Sequence, residues 1–293
     1  MNKLDTKARA QILGILCQGM SMRAISRLTG ASINTVSKLL VDAGLVCARL
    51  HDELVHGVRS KRVQCDEIWS FCYAKAKNVA GAEAAPDRAG DVWTWTAIDG
   101  DSKLIVSYLI GARDADYANV FMQDLQQRVV TRMQLTTDGH RPYFEAVDKA
   151  FGPWVDYAML VKTYGAAPAT PEARYSPAVC TGAVKREITG TPDPDHISTS
   201  YVERSNLSIR MHMRRYTRLT NAHSKKFENH CHMVAIYTVW YNFVRINSAV
   251  KMSPAMAAGI NTHLWEMADI VAAIDAPNPA PKVRGPYKPR ISN

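Results

Sequence analysis

Three acidic residues stand in settings where a carboxylate is unusual. Asp66 interrupts the apolar run of residues 63–73, Asp138 closes the strand-like run of residues 133–137, and Glu203 opens a segment that is otherwise basic. An unpaired carboxylate in an apolar strand costs several kcal/mol, so Asp66 in particular needs a partner. If the three side chains meet, they cannot all stay ionised without cations.

Such a cluster would support phosphoryl transfer. Carboxylates select hard ions such as Mg²⁺ or Mn²⁺. Two Mg²⁺ ions about 3.5 to 4 Å apart would activate a water or a 3′-hydroxyl and stabilise the leaving oxygen of an in-line displacement. We therefore predict that Asp66, Asp138 and Glu203 are catalytic, metal-binding residues, with two Mg²⁺ ions that Mn²⁺ could replace. The ordinary alternatives are a turn at Asp138 and a solvated helix around Glu203. Alternation along the strand places Glu67 on the opposite face.

The segment after Glu203 indicates a phosphate-bearing partner. A helix here would align Val202, Ile209, Met213 and Tyr216 on one apolar stripe, with Thr199 or Ser200 as its cap. Residues 203–226 contain seven basic residues and a single acid. The predicted contacts to DNA backbone in this segment are Arg204, Arg210, Arg214, Arg215, Arg218, Lys225 and Lys226.

Elements that could position the acids follow a recognisable order. Strand-like runs at 63–73, 92–98 and 104–111 precede a helix at 116–130, a strand at 133–137, a helix at 142–151 and a strand at 155–161. This order, with the basic helix after Glu203 as its last element, is that of the ribonuclease-H-like fold. In that fold of the α/β class, a mixed sheet that begins with three antiparallel strands is flanked by helices. Strands one and four are neighbours in that fold, so Asp66 would meet Asp138 beneath Glu203.

The remaining parts of this predicted catalytic domain, residues 63–250, are insertions and a helix. Residues 74–90 and 163–198 read as insertions, the second a long proline-containing loop in which 184–188 could form a local strand. An apolar helix is expected at 227–245. Beyond the domain we predict a C-terminal helix within 251–276, starting at Ser253.

Residues 1–50 are predicted to form an all-α helix-turn-helix domain that binds DNA. Residues 6–44 read as three short helices, followed by a connecting segment over 45–62. Ser21 could cap the second helix, at 22–29, Gly30 breaks it, and Ser32 could cap the third, which is expected to end at Gly44. Its exposed polar residues would contact the major groove, and the alternative is a generic three-helix packing module. These predicted contacts are Ser32, Asn34, Thr35 and Lys38.

Two further basic segments flank the folded parts. Residues 51–62 read as a basic linker whose Lys61 and Arg62 could touch phosphate or simply be solvated. The Pro-rich tail, 277–293, contains basic residues and no acid. Its Arg284, Lys288 and Arg290 could form a minor-groove hook, and a solubilising tail is the alternative.

Composition limits the classes of function. A net charge of +9 and a pI of about 9.3 favour a polyanionic partner such as nucleic acid. Six scattered cysteines without a C-x-x-C pair indicate reduced thiols rather than a disulfide or zinc framework. No secretory segment and no apolar run of about 18 residues is visible, so a cytoplasmic protein without a membrane partner is predicted.

Four stretches together carry a family resemblance: CDEIWSF, TTDGHRPY, HISTSYVERSNLSIRMHMRRYTRLTNAHSKK and WYNFVR. They resemble bacterial insertion-sequence DDE transposases, most closely the insertion sequence one group, over roughly residues 61–259. The resemblance implies that Asp66, Asp138 and Glu203 are the metal-binding D, D and E. It also implies that Asn206, in the E-R-x-N element, belongs to the DNA-contacting site. Members of this group often carry a zinc motif before the helix-turn-helix, and this chain has none.

The resemblance further implies the reaction and its partners. A protein of this family binds double-stranded DNA at terminal inverted repeats, nicks the element ends and transfers strands into target DNA. It acts as a homodimer or higher homo-oligomer, in the bacterial cytoplasm near the nucleoid. Two other functions stay open: a catalytically silent DNA-binding regulator, and a structure-selective nuclease of the same fold that resolves junctions without joining ends.

Overall fold

A six-stranded mixed sheet forms the centre of the computed structural model, which describes residues 3–165, 179–217 and 220–276. Its order is β3-β2-β1-β4-β5-β6. The strands are β1 (Arg62–Cys72), β2 (Gly90–Asp99), β3 (Ile105–Gly111), β4 (Met133–Asp138), β5 (Val155–Tyr164) and β6 (Cys180–Thr189). Strands β1, β4 and β5 are parallel, and the other pairs are antiparallel. The predicted adjacency of the first and fourth strands is confirmed.

Helices cover both faces of this sheet. The helices are α1 (Thr6–Leu16), α2 (Met22–Thr29), α3 (Ile33–Leu54), the short α4 (Ala76–Val79), α5 (Ala115–Arg128), α6 (Pro142–Phe151), α7 (Ser200–His212), α8 (Phe227–Val239), α9 (Pro254–Ala257) and α10 (Met267–Asp275). Trp95 of β2 packs against Phe121 of α5 and Tyr143 of α6 on one face. On the other face, Gln64 of β1 accepts the Tyr201 and Val202 backbone N–H groups of α7. The sheet therefore lies between α5 and α6 on one side and α7 on the other.

Strands β1 and β4 separate where the acids stand. They pair only from Arg62 opposite Gln134 to Gln64 opposite Thr136. Continuing the same register places Asp66 opposite Asp138, just beyond the last paired residues. The two carboxylates therefore face a gap that opens between neighbouring strands.

Helix α3 is longer than predicted. It continues to Leu54 through a segment that we expected to be a connection without regular structure, so this part of the prediction was wrong. Gly44, which resembles a helix stop, is instead a contact point, because a Cβ there would lie 2.3 Å from the Cβ of His232 on α8. Helices α1 to α3 share one hydrophobic core with the sheet and α8. The division at residue 50 stays a prediction.

A sharp turn joins the second and third helices. Helices α2 and α3 are inclined at 116° across the three residues between them, and the assignment as a helix-turn-helix stays a prediction. Gly30 adopts a positive φ of 71° in the turn, and the Ser32 side chain caps α3 by accepting the Thr35 backbone N–H. The predicted caps at Ser21 and Ser32 are confirmed. DNA binding by these helices stays a prediction.

Three other elements differ from expectation. Helix α7 ends at His212 rather than continuing through Tyr216, and a separate 3₁₀ turn, Arg214–Tyr216, follows it. Met213 and Tyr216 of the predicted apolar stripe are nevertheless buried. Strand β6 is ten residues long and pairs with β5, where only a short local strand was expected. The single C-terminal helix is two helices, α9 and α10, and Gly259, with a φ of 71°, follows the first.

In the described part of the chain, no single helix is long and apolar enough to cross a membrane, and only the bent pair α2 and α3, taken together, has the length and composition to do so.

Candidate active site

The predicted acids line one cavity. A space of about 980 Å³, here called the acidic cavity, is bordered by Asp66, Glu67, Asp138 and Glu203. It lies where β1 and β4 separate, and α7 closes one side. The fold therefore brings together three acids that are 72 and 65 residues apart in the chain (138 − 66 and 203 − 138). Their catalytic role stays a prediction.

Asp66 is held by a side chain from α7. The Asn206 amide donates a hydrogen bond of 2.8 Å from Nδ2 to Oδ2 of Asp66. Burial and then repulsion from Asp138 raise the pKa of Asp66 to about 6, although the Asn206 hydrogen bond opposes this rise. This carboxylate is therefore fixed in position and lacks a cationic partner among the described residues.

Glu67 also lines the cavity, which the alternation along β1 did not predict. Its side chain does leave β1 on the face opposite to Asp66, where Arg113 Nε donates to Glu67 Oε2 at 2.9 Å. The long side chain nevertheless reaches the gap, and one oxygen each of Asp66, Glu67 and Asp138 lie within 4.8 Å of one another. Burial and then repulsion from Asp138 raise the pKa of Glu67 to about 7. Alternation predicted the backbone direction and not the reach of the side chain.

Asp138 combines a turn with the acidic cluster. Its Oδ1 accepts the backbone N–H of His140 at 2.9 Å, which is the local turn bond that its T-T-D-G setting suggested. Its Oδ2 faces the Arg113 guanidinium at 3.4 Å. Arg113 therefore bridges Asp138 and Glu67, and it is also stacked over Trp93. Asp138 can therefore stabilise the local turn with one oxygen while its carboxylate belongs to the acidic cluster.

Glu203 lies in the first turn of α7 and has its own partners. The ammonium of Lys162 on β5 and the Thr199 hydroxyl, at 2.5 Å, both donate to its Oε1. Thr199 occupies the N-cap position without capping the backbone, so its hydroxyl serves the carboxylate instead. Burial lowers the pKa of Lys162, but the hydrogen bond and attraction of Glu203 outweigh it, and the net shift is upward. Glu203 is not one of the three acids that lie within 4.8 Å of one another.

These side chains fit a divalent cation. Asp66, Glu67 and Asp138 form the group of possible metal ligands found among the described residues. Ligand oxygens of one octahedral Mg²⁺ lie about 3 to 4 Å apart, so the observed spacing needs only a small contraction. The donors are all carboxylate oxygens, the type that hard ions prefer. The cluster is therefore suited to a divalent cation, and the identity of that cation stays a prediction.

The predicted DNA contacts around α7 separate into three environments. Asn206 and Arg210 line the acidic cavity, with Asn206 buried. The side chains of Arg204, Arg214, Lys225 and Lys226 lie on the surface. Arg215 is turned inward, where it donates to Ser224 Oγ at 2.9 Å and burial lowers its pKa to about 10. Its guanidinium is thus not on the basic surface where we expected it, and Arg218 lies outside the described residues.

The predicted N-terminal contacts lie beside a second groove of about 870 Å³. Asn34, Thr35 and Lys38 line it, and its other wall includes Asp275 and Ala276 at the end of α10. Lys38 is paired with Asp42 at 2.5 Å, while Ser32 and Asn34 are exposed. The expected recognition face is therefore partly occupied by intramolecular contacts.

The linker and tail predictions have different outcomes. Lys61 is exposed, whereas Arg62 opens β1 and binds Asp101 and His196. Arg62 is therefore engaged within the protein. Arg284, Lys288 and Arg290 lie outside the described residues.

Three site residues were missed by sequence reasoning. Glu67 was seen and set aside, and Arg113 and Lys162 were not considered. Arg113 follows β3 and Lys162 lies on β5, so both are far in sequence from the acids they contact. A single basic residue in a sequence forms no motif that would indicate a place in an acidic site. Only the strand order places them at the cavity.

Comparisons with known proteins give structural neighbours alone. The sequence matches no protein-family model and no curated protein. A piggyBac transposase synaptic complex with hairpin DNA is similar at a TM-score of 0.42 and 8% identity, covering 94% of this chain and 71% of that one. A Mos1 transposase paired-end complex with the left transposon end has a TM-score of 0.27 and 12% identity, covering 83% and 79%. The Mos1 strand transfer complex has a TM-score of 0.24 and 13% identity, covering 80% of this chain and 78% of that one. TM-scores below 0.5 do not establish a common fold.

Proposed function

We propose that this protein is a DDE transposase that nicks DNA at the ends of an insertion sequence and joins them to target DNA. The observation that carries the proposal is the meeting of Asp66, Asp138 and Glu203 in one cavity, with two of them beside a third carboxylate, Glu67. A structural role alone gives no reason to gather four acids where two strands part, since their mutual repulsion raises the cost of burial.

DNA fits this cavity better than a small substrate. Arg113, Arg141, Lys162 and Arg210 line it together with the acids. Cations at the rim can bind backbone phosphates while the carboxylates hold the metal. The exposed Arg204 extends the positive charge along α7. The chain's net charge of +9 agrees with a polyanionic substrate.

The residues of the cavity would have different roles in phosphoryl transfer. Asp66, Asp138 and Glu203 would hold two Mg²⁺ ions, which supply activation of the attacking hydroxyl or water and stabilisation of the leaving oxygen. Asn206 fixes Asp66, and Thr199 orients Glu203 through its hydroxyl. The neighbouring arginines and lysine would orient the phosphate for in-line attack.

The other finer assignments belong to the same proposal. The order β3-β2-β1-β4-β5, with helices on both faces, supports a ribonuclease-H-like assignment. The 116° angle between α2 and α3 supports a helix-turn-helix that reads terminal inverted repeats. We further propose that the protein acts as a homodimer or larger homo-oligomer on DNA in the bacterial cytoplasm, near the nucleoid.

A plasmid-nicking assay tests the catalytic assignment. Purified full-length protein should convert supercoiled plasmid to the nicked form with Mg²⁺ and not with EDTA. Glu203→Gln should reduce nicking at least 100-fold, because it removes a charged ligand while preserving shape, and it should leave DNA binding intact. Glu53→Gln, at an exposed acid on α3 paired with Arg49, is the matched control and should retain full activity. Full nicking by Glu203→Gln would refute the assignment.

Strand transfer separates the transposase from its alternatives. With a pre-cleaved element end and Mn²⁺, a transposase joins the free 3′-hydroxyl to a target plasmid. A structure-selective nuclease would nick or resolve DNA without forming this joint, and a silent regulator would bind without either reaction. Joined products that disappear in Glu203→Gln are the expected outcome.

A further inference from the structure

The acids that lie closest together are not the three that sequence reasoning selected. One oxygen each of Asp66, Glu67 and Asp138 lie within 4.8 Å of one another, and Glu203 is not among them. Glu203 is engaged with Lys162 and Thr199 across the cavity. The compact carboxylate group of this protein therefore contains Glu67.

Glu67 has an oxygen available for a ligand. Its side chain is 1% exposed, and Oε2 binds Arg113 while Oε1 is buried without a hydrogen-bond partner among the described residues. The hydroxyl of Tyr143 faces this carboxylate, and its hydrogen bonding opposes the rise in the pKa of Glu67, but the pair does not reach the distance and angle of a full hydrogen bond. Buried carboxylate oxygens usually have a full hydrogen bond, so one without it beside two further carboxylates favours a divalent cation as its partner.

The charges of the cluster are also unbalanced. Arg113 is the cation that contacts it, bridging Glu67 and Asp138 at 2.9 and 3.4 Å in the described structure. The donors to Asp66 there are neutral, namely the Asn206 amide and the Glu67 backbone N–H. Three carboxylates and one guanidinium leave an excess of negative charge, which a divalent cation would neutralise.

We propose that Glu67 is a further metal ligand, which Arg113 holds beside Asp66 and Asp138 before the ion arrives. This inference rests on the proposed metal-dependent function and adds a residue to its site. The competing explanation is that Glu67 only anchors Arg113 and the segment after β3. That explanation predicts that Glu67 has no effect on ion binding.

Direct Mn²⁺ binding separates the two explanations without relying on activity. Metal-stripped, full-length protein is titrated with Mn²⁺ while electron paramagnetic resonance reports the free ion. Glu67→Gln keeps the side-chain shape and an oxygen for Arg113, and it should weaken binding by about tenfold or more. Glu53→Gln should bind as the wild type does. Circular dichroism and melting in EDTA establish that each variant is folded.

A paired substitution covers the event that Glu67→Gln does not fold. The double variant Glu67→Gln with Arg113→Gln removes both members of this ion pair, so neither charge is left without the other. It too should bind Mn²⁺ at least about tenfold more weakly than the wild type. Wild-type affinity in either folded variant would overturn the role of Glu67 alone, provided that the wild type binds Mn²⁺. Absence of Mn²⁺ binding by the wild type would instead refute the proposed function, and this inference with it.

Discussion

At the scale of single residues, each of the four carboxylates of the acidic cavity is held by a local partner. Asp66 has the Asn206 amide, Glu67 and Asp138 share Arg113, and Glu203 has Lys162. These contacts fix the directions of the carboxylates but compensate their charge incompletely. The stability of the metal-free protein should therefore depend on the protonation of this cluster.

The direction of that dependence follows from the raised pKa values. Burial first, and then Asp138, raise the pKa of Asp66 from 3.8 to about 6 and that of Glu67 from 4.5 to about 7. Between about pH 4 and pH 7 the folded state binds more protons than the unfolded chain, so the free energy of unfolding falls as pH rises. At about 1.4 kcal/mol per pKa unit, the loss is on the order of a few kcal/mol. Urea unfolding in EDTA at pH 5 and pH 8 measures it.

The Glu67→Gln variant provides the control for this prediction. It lacks one of the two raised groups, so its free energy of unfolding should decline less between pH 5 and pH 8. Mg²⁺ at pH 8 should restore stability to the wild type, because the ion favours the ionised carboxylates. Equal declines in wild type and variant would contradict the assignment of the pH dependence to this cluster.

Sequence reasoning found part of this site, and its limits are physical. Asp66 and Asp138 were detectable because a charge within or at the end of an apolar strand is costly. Glu67 was not detectable, because alternation predicts only the face on which a side chain leaves the strand. Beside Glu67, β1 and β4 separate, and its long side chain reaches the gap between them. The partnership of Arg113 with Glu67 depends on the order of strands in space, which no local pattern contains.

At the scale of elements, the apolar strands were predictable and the elements that depend on tertiary contacts were not. β1 to β5 lie near their predicted positions because Val, Ile, Trp and Tyr concentrate in them. The residues of β6 are mostly exposed, so this strand depends on pairing with β5 rather than on an apolar pattern. The second half of α3 was missed because Gly44 resembles a helix stop, whereas its lack of a side chain serves packing against α8.

Substitution of Gly44 tests that packing. A Cβ at Gly44 would lie 2.3 Å from Cβ and 2.6 Å from Cα of His232, and the backbone contact cannot be relieved by rotating a side chain. Gly44→Ala should therefore lower the free energy of unfolding by about 1–3 kcal/mol. Gly14→Ala is the matched helical control, since its Cβ would meet only Met267 Cγ at 3.8 Å. It should be neutral or stabilising by up to about 1 kcal/mol. Thermal and urea unfolding compare the two, and similar stability would mean that α3 and α8 do not pack this closely.

At the scale of the whole molecule, the N-terminal helices are joined to the sheet through a shared interior. Ile12, Leu13, Val36 and Leu40 belong to the same hydrophobic core as β1 and α8. Helix α10, near the other end of the chain, packs against α1, and Arg9 binds Asp275 at 2.6 Å. Helices α1 to α3 would therefore combine a DNA-binding role with a structural role. A displacement of these helices on DNA would be transmitted to the sheet and α8 through the shared core.

This shared core predicts the outcome of truncation. Deleting residues 1–50 would cut α3 within its length and uncover the side of α8 that it covers, exposing apolar surface that the remaining chain has no means to bury. We expect the truncated protein to aggregate or to lose its cooperative melting transition, and to lose nicking with it. Asn34→Ala with Lys38→Ala changes two surface residues of α3 without uncovering the core, so this variant should keep the cooperative melting transition of the wild type. A soluble truncated protein that melts cooperatively and nicks plasmid at the wild-type rate would show instead that the two parts are independent, because the core of the remainder would then be complete without α1 to α3.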